Sequence, residues 1–284
     1  MKRIVFFLHY RGGSTLFQHL VSTTPFFALS DEELARYKAE RKRKPVPEYY
    51  WLPTIPPEEC RIKHTNSGGI EDLAKEAELK YGDKPFAIST HIGNWWGNTP
   101  SNEIPQPLEG PSPMKWSAKE LLQLPPGEWH FVNVLRDGRN LTESLRNLKG
   151  GIEEKLNTEN PEDYFKALCK AWRNKARVAL ECSKTVPNYH IIRFEDLISN
   201  TVDIMDQMFN LIGFSLDHEI CMERANDIKQ RKVGKKHTSF KDDTKMNQRW
   251  HRWTDHEIDI FKSIANTELV DLGYEEDDLW MAPR

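Results

Sequence analysis

Residues 4–20 read IVFFLHYRGGSTLFQHL, and this stretch decides the fold. Ile4 to Leu8 is a near-continuous apolar run, the pattern of a strand buried on both faces. It is too short for a signal-peptide core and no small-residue cleavage site follows it. After His9 and Tyr10 come a cation (Arg11), two glycines (Gly12, Gly13) and two hydroxyls (Ser14, Thr15). Leu16, Phe17, Leu20 and Val21 then recur at helical spacing, and Pro25 closes the segment. The pattern predicts strand, short loop, helix. Glycines let the loop backbone come close to a ligand, and the helix start aims free N–H groups and its positive dipole end at the same point. Ser14 and Thr15 add donors and Arg11 a permanent planar cation, so the loop suits a phosphate or sulfate. A plain strand–turn–helix with a capping serine satisfies the same pattern. The loop also lacks the lysine and the length of the common nucleotide loop G-x-x-x-x-G-K-[ST], which speaks for a donor whose transfer needs no magnesium.

The rest of the chain bounds the setting. At 284 residues it can bury a substantial core. With 38% apolar and 29% charged residues and a net charge of −3, it reads as soluble and globular, with no general polyanion-binding role. The dense basic run from Lys38 to Lys44 reads as a solvated helix end or loop rather than a nucleic-acid patch. Four cysteines form no C-x-x-C pair, which fits a reducing compartment and a cytoplasmic protein without zinc. No apolar stretch is long enough for a membrane span. Asn140-Leu141-Thr142 matches the glycosylation pattern, which a cytosolic chain would not use.

Further strands are predicted at Phe86–Ser89, Phe131–Leu135 and Tyr189–Phe194. Helices are predicted at Ile70–Tyr81, Leu141–Leu148, Pro161–Ser183, Val202–Ile212 and Asp255–Leu272. In the long one, Phe165, Leu168, Trp172, Ala176 and Ala179 form one stripe. Ser30 to Glu33 reads as a capping box. The proline-rich residues 45–57 and the Gly-, Asn- and Trp-rich residues 92–115 read as loops, the latter long enough to be functional. Residues 229–251 are basic and irregular. Alternating strands and helices predict an α/β fold with a mostly parallel central sheet flanked by helices. In such sheets ligands bind beyond the carboxyl ends of the strands. Three strand ends carry chemistry: Tyr10–Thr15, Thr90-His91 and Arg136–Ser144. Arg136 leaves a strand and Ser144 follows eight residues later on the next helix, an arrangement that can clamp one phosphate from two sides. A surface arginine paired with Asp137 is the competing reading.

Together, the two elements resemble the sulfotransferases that use 3′-phosphoadenosine-5′-phosphosulfate (PAPS). Arg11-Gly12-Gly13-Ser14-Thr15-Leu16 fits that family's 5′-phosphosulfate loop. Leu135-Arg136-Asp137-Gly138-Arg139 with Ser144 fits its 3′-phosphate element, except that Gly138 replaces the usual proline. Arg193-Phe194-Glu195-Asp196-Leu197 is similar to a strand-end segment of the family, and the resemblance implies that Phe194 lies against the adenine, with Glu195 and Asp196 capping the next segment. Arg231-Lys232-Val233-Gly234 looks like the basic loop that closes over the 3′-phosphate, with one extra residue, so that Arg231, Lys232 and Gly234 join the donor set. Asn247 to Trp250, Trp253-Thr254 and Leu272-Gly273-Tyr274 resemble the tail of bacterial and carbohydrate members, an alignment that competes for the same loop.

The resemblance implies one P-loop-like domain over residues 1–284, with 26–85 and 92–130 as acceptor-site insertions. It implies sulfuryl transfer from PAPS, leaving 3′-phosphoadenosine-5′-phosphate (PAP), to a hydroxyl or amine of a small-molecule or glycan acceptor, with no metal. His91, in Ser89-Thr90-His91, stands where many members keep K-T-H and is the expected base, with Arg11 stabilising the departing phosphate oxygen. The missing lysine places more weight on Arg11. Glu32, Glu33, His9 and His64 are other candidates for the base. Trp95 and Trp96 would stack on an acceptor, or pack in the interior. A metal-dependent P-loop kinase and a non-catalytic nucleotide-binding protein of the same fold are the alternatives.

Overall fold

The computed structural model describes residues 3–8, 12–21, 29–30, 61–62, 86–91, 125, 127–147, 160–229 and 249–280, together with 75, 78 and 79. Its strands are β1 (Arg3–Leu8), β2 (Leu29–Ser30), β3 (Arg61–Ile62), β4 (Phe86–His91), β5 (Trp129–Leu135) and β6 (Tyr189–Arg193). Its helices are α1 (Ser14–Val21), α2 (Gly138–Arg146), α3 (Pro161–Thr185), α4 (Phe194–Ser199), α5 (Thr201–Leu211), α6 (His218–Lys229) and α7 (Asp255–Asp271), with a 3-10 turn at Arg249–Arg252. The central sheet runs β4-β1-β5-β6, and every pairing in it is parallel. The fold is therefore the α/β arrangement that the sequence predicts. β2 and β3 form a separate parallel pair.

β1 sits inside the sheet, which explains its unbroken apolar run: Ile4, Val5, Phe6 and Phe7 are all buried. One face of the sheet offers Ile4, Phe6, Val132, Val134 and Ile192. Leu16, Phe17 and Leu20 of α1, Met205, Met208 and Phe209 of α5 and Cys221 of α6 cover it. On the other face Phe7, Phe131 and Tyr189 form a ring cluster with centroids 6.0–6.3 Å apart. There the Asn133 side-chain amide donates to the Tyr189 hydroxyl at 2.8 Å, which satisfies two buried polar groups together.

A second core joins α2, α3 and α7. Leu141 and Leu145 meet Phe165, Leu168 and Trp172 of the predicted stripe, with Ile258, Phe261, Ala265 and Leu269 of α7 and Trp250, Trp253 and Trp280. α3 begins at Pro161 behind the Asn160 cap and runs two residues past the predicted end. α4 and α6 form where the sequence reading placed no helix. Residues 75, 78 and 79 are helical within the predicted 70–81 helix. The predicted capping box at 30–33 and the loops at 45–57 and 92–115 lie outside the described residues. Among the described residues no helix is long and apolar enough to cross a membrane.

Candidate functional site

Parallel register brings the chemically marked strand ends to one edge of the sheet. Leu8, the last residue of β1, pairs with His91, the last residue of β4. On the other side of β1, Phe7 pairs with Asn133, so β5 runs on two residues to Leu135 and delivers Arg136 beside the β1–α1 loop. Leu135 pairs in turn with Arg193, which brings Phe194 and Glu195 to the same edge.

The β1–α1 loop turns through Gly13 at φ +95°, a left-handed conformation that favours glycine. A methyl group on its Cα would sit 2.0 Å from Cε2 of Phe194, so only a hydrogen fits. The first helical bond of α1 runs from the Phe17 N–H to the Gly13 carbonyl at 2.9 Å. The N–H groups of Ser14, Thr15 and Leu16 precede that bond and are the helix-start donors that an anion can take. The Leu16 side chain belongs to the core, with 1% exposure, so its place in the loop pattern is one of packing and of its backbone N–H.

Phe194 joins this loop to the second element. Its ring is 1% exposed, lies against Gly13, and has the Arg136 guanidinium carbon 5.1 Å from its centroid. That distance is within cation–π range. The ring packs in the core and touches both the β1–α1 loop and the β5–α2 turn, so it sets the spacing between them. Arg136 is 4% exposed, as buried as the core around it.

α2 is polar in sequence and buried nonetheless. Asn140, Thr142, Glu143 and Ser144 are all under 7% exposed. Such a helix needs partners, and the C-terminal segments supply them to Arg139, Glu143 and Arg146. Asp137 caps the helix by accepting from the Arg139 N–H at 2.8 Å, and its carboxylate also takes the Arg139 guanidinium at 2.7 Å. Arg139 lies over the edge-to-face pair of Trp250 and Trp280, 4.2 and 4.8 Å from their centroids, and also pairs with Glu275. Burial opposes its charge, but Asp137 and Glu275 outweigh burial and raise its pKa further. Glu143 accepts from the Trp253 indole at 2.9 Å, from Arg146 at 3.0 Å and from Asn147 at 2.7 Å. Ser144 lies six residues beyond the first residue of α2, roughly 9 Å along its axis. Asn140 is 1% exposed within this helix, so the folded chain does not present the glycosylation pattern at its surface.

Gly138, the departure from the family's proline, has a local cause. A methyl on its Cα would meet the Trp172 ring at 2.3 Å, and the Trp172 indole N–H donates to the Arg136 carbonyl at 2.9 Å. The tryptophan packs flat against the turn and fixes the backbone of Arg136. Two contacts hold the same turn from the β6 side. The Asp137 N–H donates to both Glu195 carboxylate oxygens at 3.2 and 3.3 Å. The Tyr274 hydroxyl donates to the Leu135 carbonyl at 3.2 Å. Asp196 pairs with Arg193 rather than capping α4. Trp172, Glu195 and the tail tryptophans were not among the predicted site residues. The pairing of Glu195 with Asp137 spans 58 residues, so no local spacing signals it.

Of Ser14, Thr15 and His91 the structure describes the backbone, at a helix start and a strand end facing this edge. Arg11, Trp95, Trp96, Arg231, Lys232 and Gly234, and the alternative bases His9, Glu32, Glu33 and His64, lie outside the described residues.

No protein-family model and no curated protein sequence matches the chain. Solved structures do. The mouse sulfotransferase SULT7A1 complexed with PAP aligns over 96% of this chain and 86% of its own, at 12% identity and a TM-score of 0.52. The sulfotransferase STF9 from Mycobacterium avium aligns over 100% of this chain and 78% of its own, at 11% identity and a TM-score of 0.50. With its parallel sheet, its Gly12-Gly13 loop and its buried Arg136 turn on one edge, this chain has the fold of the PAPS-dependent sulfotransferases.

Proposed function

We propose that this protein is a PAPS-dependent sulfotransferase that moves a sulfuryl group to a hydroxyl or amine of a small-molecule or carbohydrate acceptor. The observation that carries the reading is the joining of two anion-binding elements by one ring. Phe194 touches Gly13 of the β1–α1 loop and lies under Arg136 of the β5–α2 turn. These elements are more than a hundred residues apart in sequence and adjacent in the sheet. A buried arginine next to a helix-start donor set fits a ligand with two separated anionic ends.

The residues divide the work as follows. The loop N–H groups, Arg11 and the hydroxyls of Ser14 and Thr15 hold the 5′-phosphate. Arg136, Ser144 and the loop with Arg231, Lys232 and Gly234 hold the 3′-phosphate, and so select this donor over ordinary adenine nucleotides. When bound, the donor supplies a sulfuryl group on a phosphate leaving group. His91 takes the acceptor's proton as its oxygen or nitrogen approaches sulfur. Arg11 and the α1 N–H groups stabilise the negative charge that builds on the departing phosphate oxygen. No step in this scheme calls for a metal. Residues 26–85 and 92–130, with Trp95 and Trp96, would shape the acceptor side of a single sulfotransferase domain. Cys169, Cys182 and Cys221 are free and buried, which accords with a reducing, cytoplasmic setting.

Transfer of labelled sulfate from PAPS to a panel of hydroxyl and amine acceptors, without added magnesium, tests the reading. Turnover on at least one acceptor is expected, and its loss by about 100-fold or more in His91→Ala with donor binding retained. Activity only with ATP and magnesium would instead identify a kinase. Full turnover in the variant would move the base elsewhere.

A further inference from the structure

We propose that Glu195 is a positioning residue of the 3′-phosphate subsite: its carboxylate fixes the turn that delivers Arg136, and its charge sets how strongly that subsite takes a phosphate. The inference rests on the sulfuryl-donor reading above and assigns a role to a residue that reading leaves unused.

The geometry is specific. Both Glu195 oxygens receive the Asp137 N–H, the first amide after Arg136. Glu195 follows Phe194, so one step of chain at the end of β6 delivers both the ring under Arg136 and the carboxylate beside it. The charged and titratable groups around it come from three places. The β5–α2 turn contributes Arg136 and Asp137, and Asp137 is already engaged by Arg139. The segment after α7 contributes Tyr274, whose hydroxyl donates to the Leu135 carbonyl and whose pKa is driven up by burial first and then by the Glu195 charge. Its own strand end contributes Arg193 and Asp196, which pair with each other.

Burial and the neighbouring Asp137 carboxylate push Glu195 up to about 7, and the opposing pull of Arg136 is insufficient to restore an ordinary value. The sign of the consequence follows. Above pH 7 Glu195 is an anion that competes with an incoming phosphate for Arg136 and repels it. Below pH 7 it carries a proton from solvent, and its competition with the phosphate for Arg136 is removed. A bound polyanion raises the pKa of Glu195 further, so binding takes up a proton and affinity rises as pH falls. Uptake of one proton caps the slope at about tenfold per pH unit.

The test is calorimetric titration of PAP, and of AMP, into the full chain between pH 6.5 and 8.5, with Glu195→Gln and Glu195→Ala. PAP's own two phosphates titrate near pH 6 in every case, so the difference between variants isolates Glu195. The wild type should bind PAP several-fold more tightly at pH 6.5 than at 8.5, relative to Glu195→Gln. Glu195→Gln keeps an acceptor for the Asp137 N–H without the charge, and should bind at pH 8.5 more tightly than the wild type. Glu195→Ala loses the acceptor and should bind about tenfold more weakly than Glu195→Gln at every pH. Identical pH profiles in the wild type and Glu195→Gln would overturn the inference and leave the donor reading standing. So would equal binding by the Gln and Ala variants. If Glu195→Ala does not fold, the Glu195→Gln profile alone decides. A wild type that binds PAP no better than AMP would sink the donor reading itself.

Discussion

Gly138 and Gly13 show how single hydrogens set the site. In the family pattern a proline stands at the Gly138 position, and proline suits the first residue of a helix. Here the Trp172 ring occupies the space of a Cβ, so backbone preference gives way to packing. Gly138→Ala should therefore destabilise the protein by about 1–3 kcal/mol, the usual cost of overpacking a filled core. Urea unfolding measures it. Adding Trp172→Leu should recover less than the full loss, because the indole also donates to the Arg136 carbonyl. A Gly138→Ala variant as stable as the wild type would mean that Trp172 does not sit where it is described. This contact was not legible in the sequence. Gly138 could be read only as a departure from a motif, and the residue responsible lies 34 positions away on a helix whose stripe marked it simply as core.

At the scale of elements, α2 departs most from simple expectation. Its mean character is polar, yet Gly138 through Leu145 are buried. Its stability is lent by the C-terminal segments: Trp253 donates to Glu143, Glu257 pairs with Arg146, and Trp250 and Trp280 both contact the Arg139 guanidinium. Trp253→Phe retains most of the packing but leaves the buried Glu143 carboxylate short of a donor. It should cost about 1–3 kcal/mol, read by chemical denaturation. No loss would show that Glu143 is satisfied by Arg146 and Asn147 alone. Other elements were legible for plain physical reasons. β1, β5 and β6 are apolar runs buried in a parallel sheet, and α3 carries its stripe over 25 residues. α6 was missed because charged residues interrupt its few buried positions, Cys221 and Ala225 among them. α4 was missed because four of its six residues, Phe194–Leu197, belong to the strand-end segment Arg193–Leu197, which reads as a motif rather than as a helix. The tail from Trp250 to Tyr274, legible only as a resemblance, touches α2 and Leu135 and braces the Arg136 turn.

At the scale of the molecule, a parallel sheet converts sequence separation into proximity. Register alone aligns the ends of β4, β1, β5 and β6, so that a loop near residue 13, a turn at residue 136 and a ring at residue 194 share one edge. Each of these signals was visible in the sequence. Their direct contact through Phe194 was not, since register is set by pairing over a hundred residues. The central claim is that this edge recognises both ends of a 3′,5′-bisphosphorylated adenosine. It is tested most directly by calorimetric titration of PAP and AMP into the wild type and Arg136→Ala. The account predicts that the wild type binds PAP at least tenfold more tightly than AMP. Arg136→Ala should lose about 1.5–3 kcal/mol of PAP affinity, the range for a charge-assisted hydrogen bond, and change little toward AMP. Equal affinity of the wild type for PAP and AMP, or unchanged PAP binding by Arg136→Ala, would contradict it.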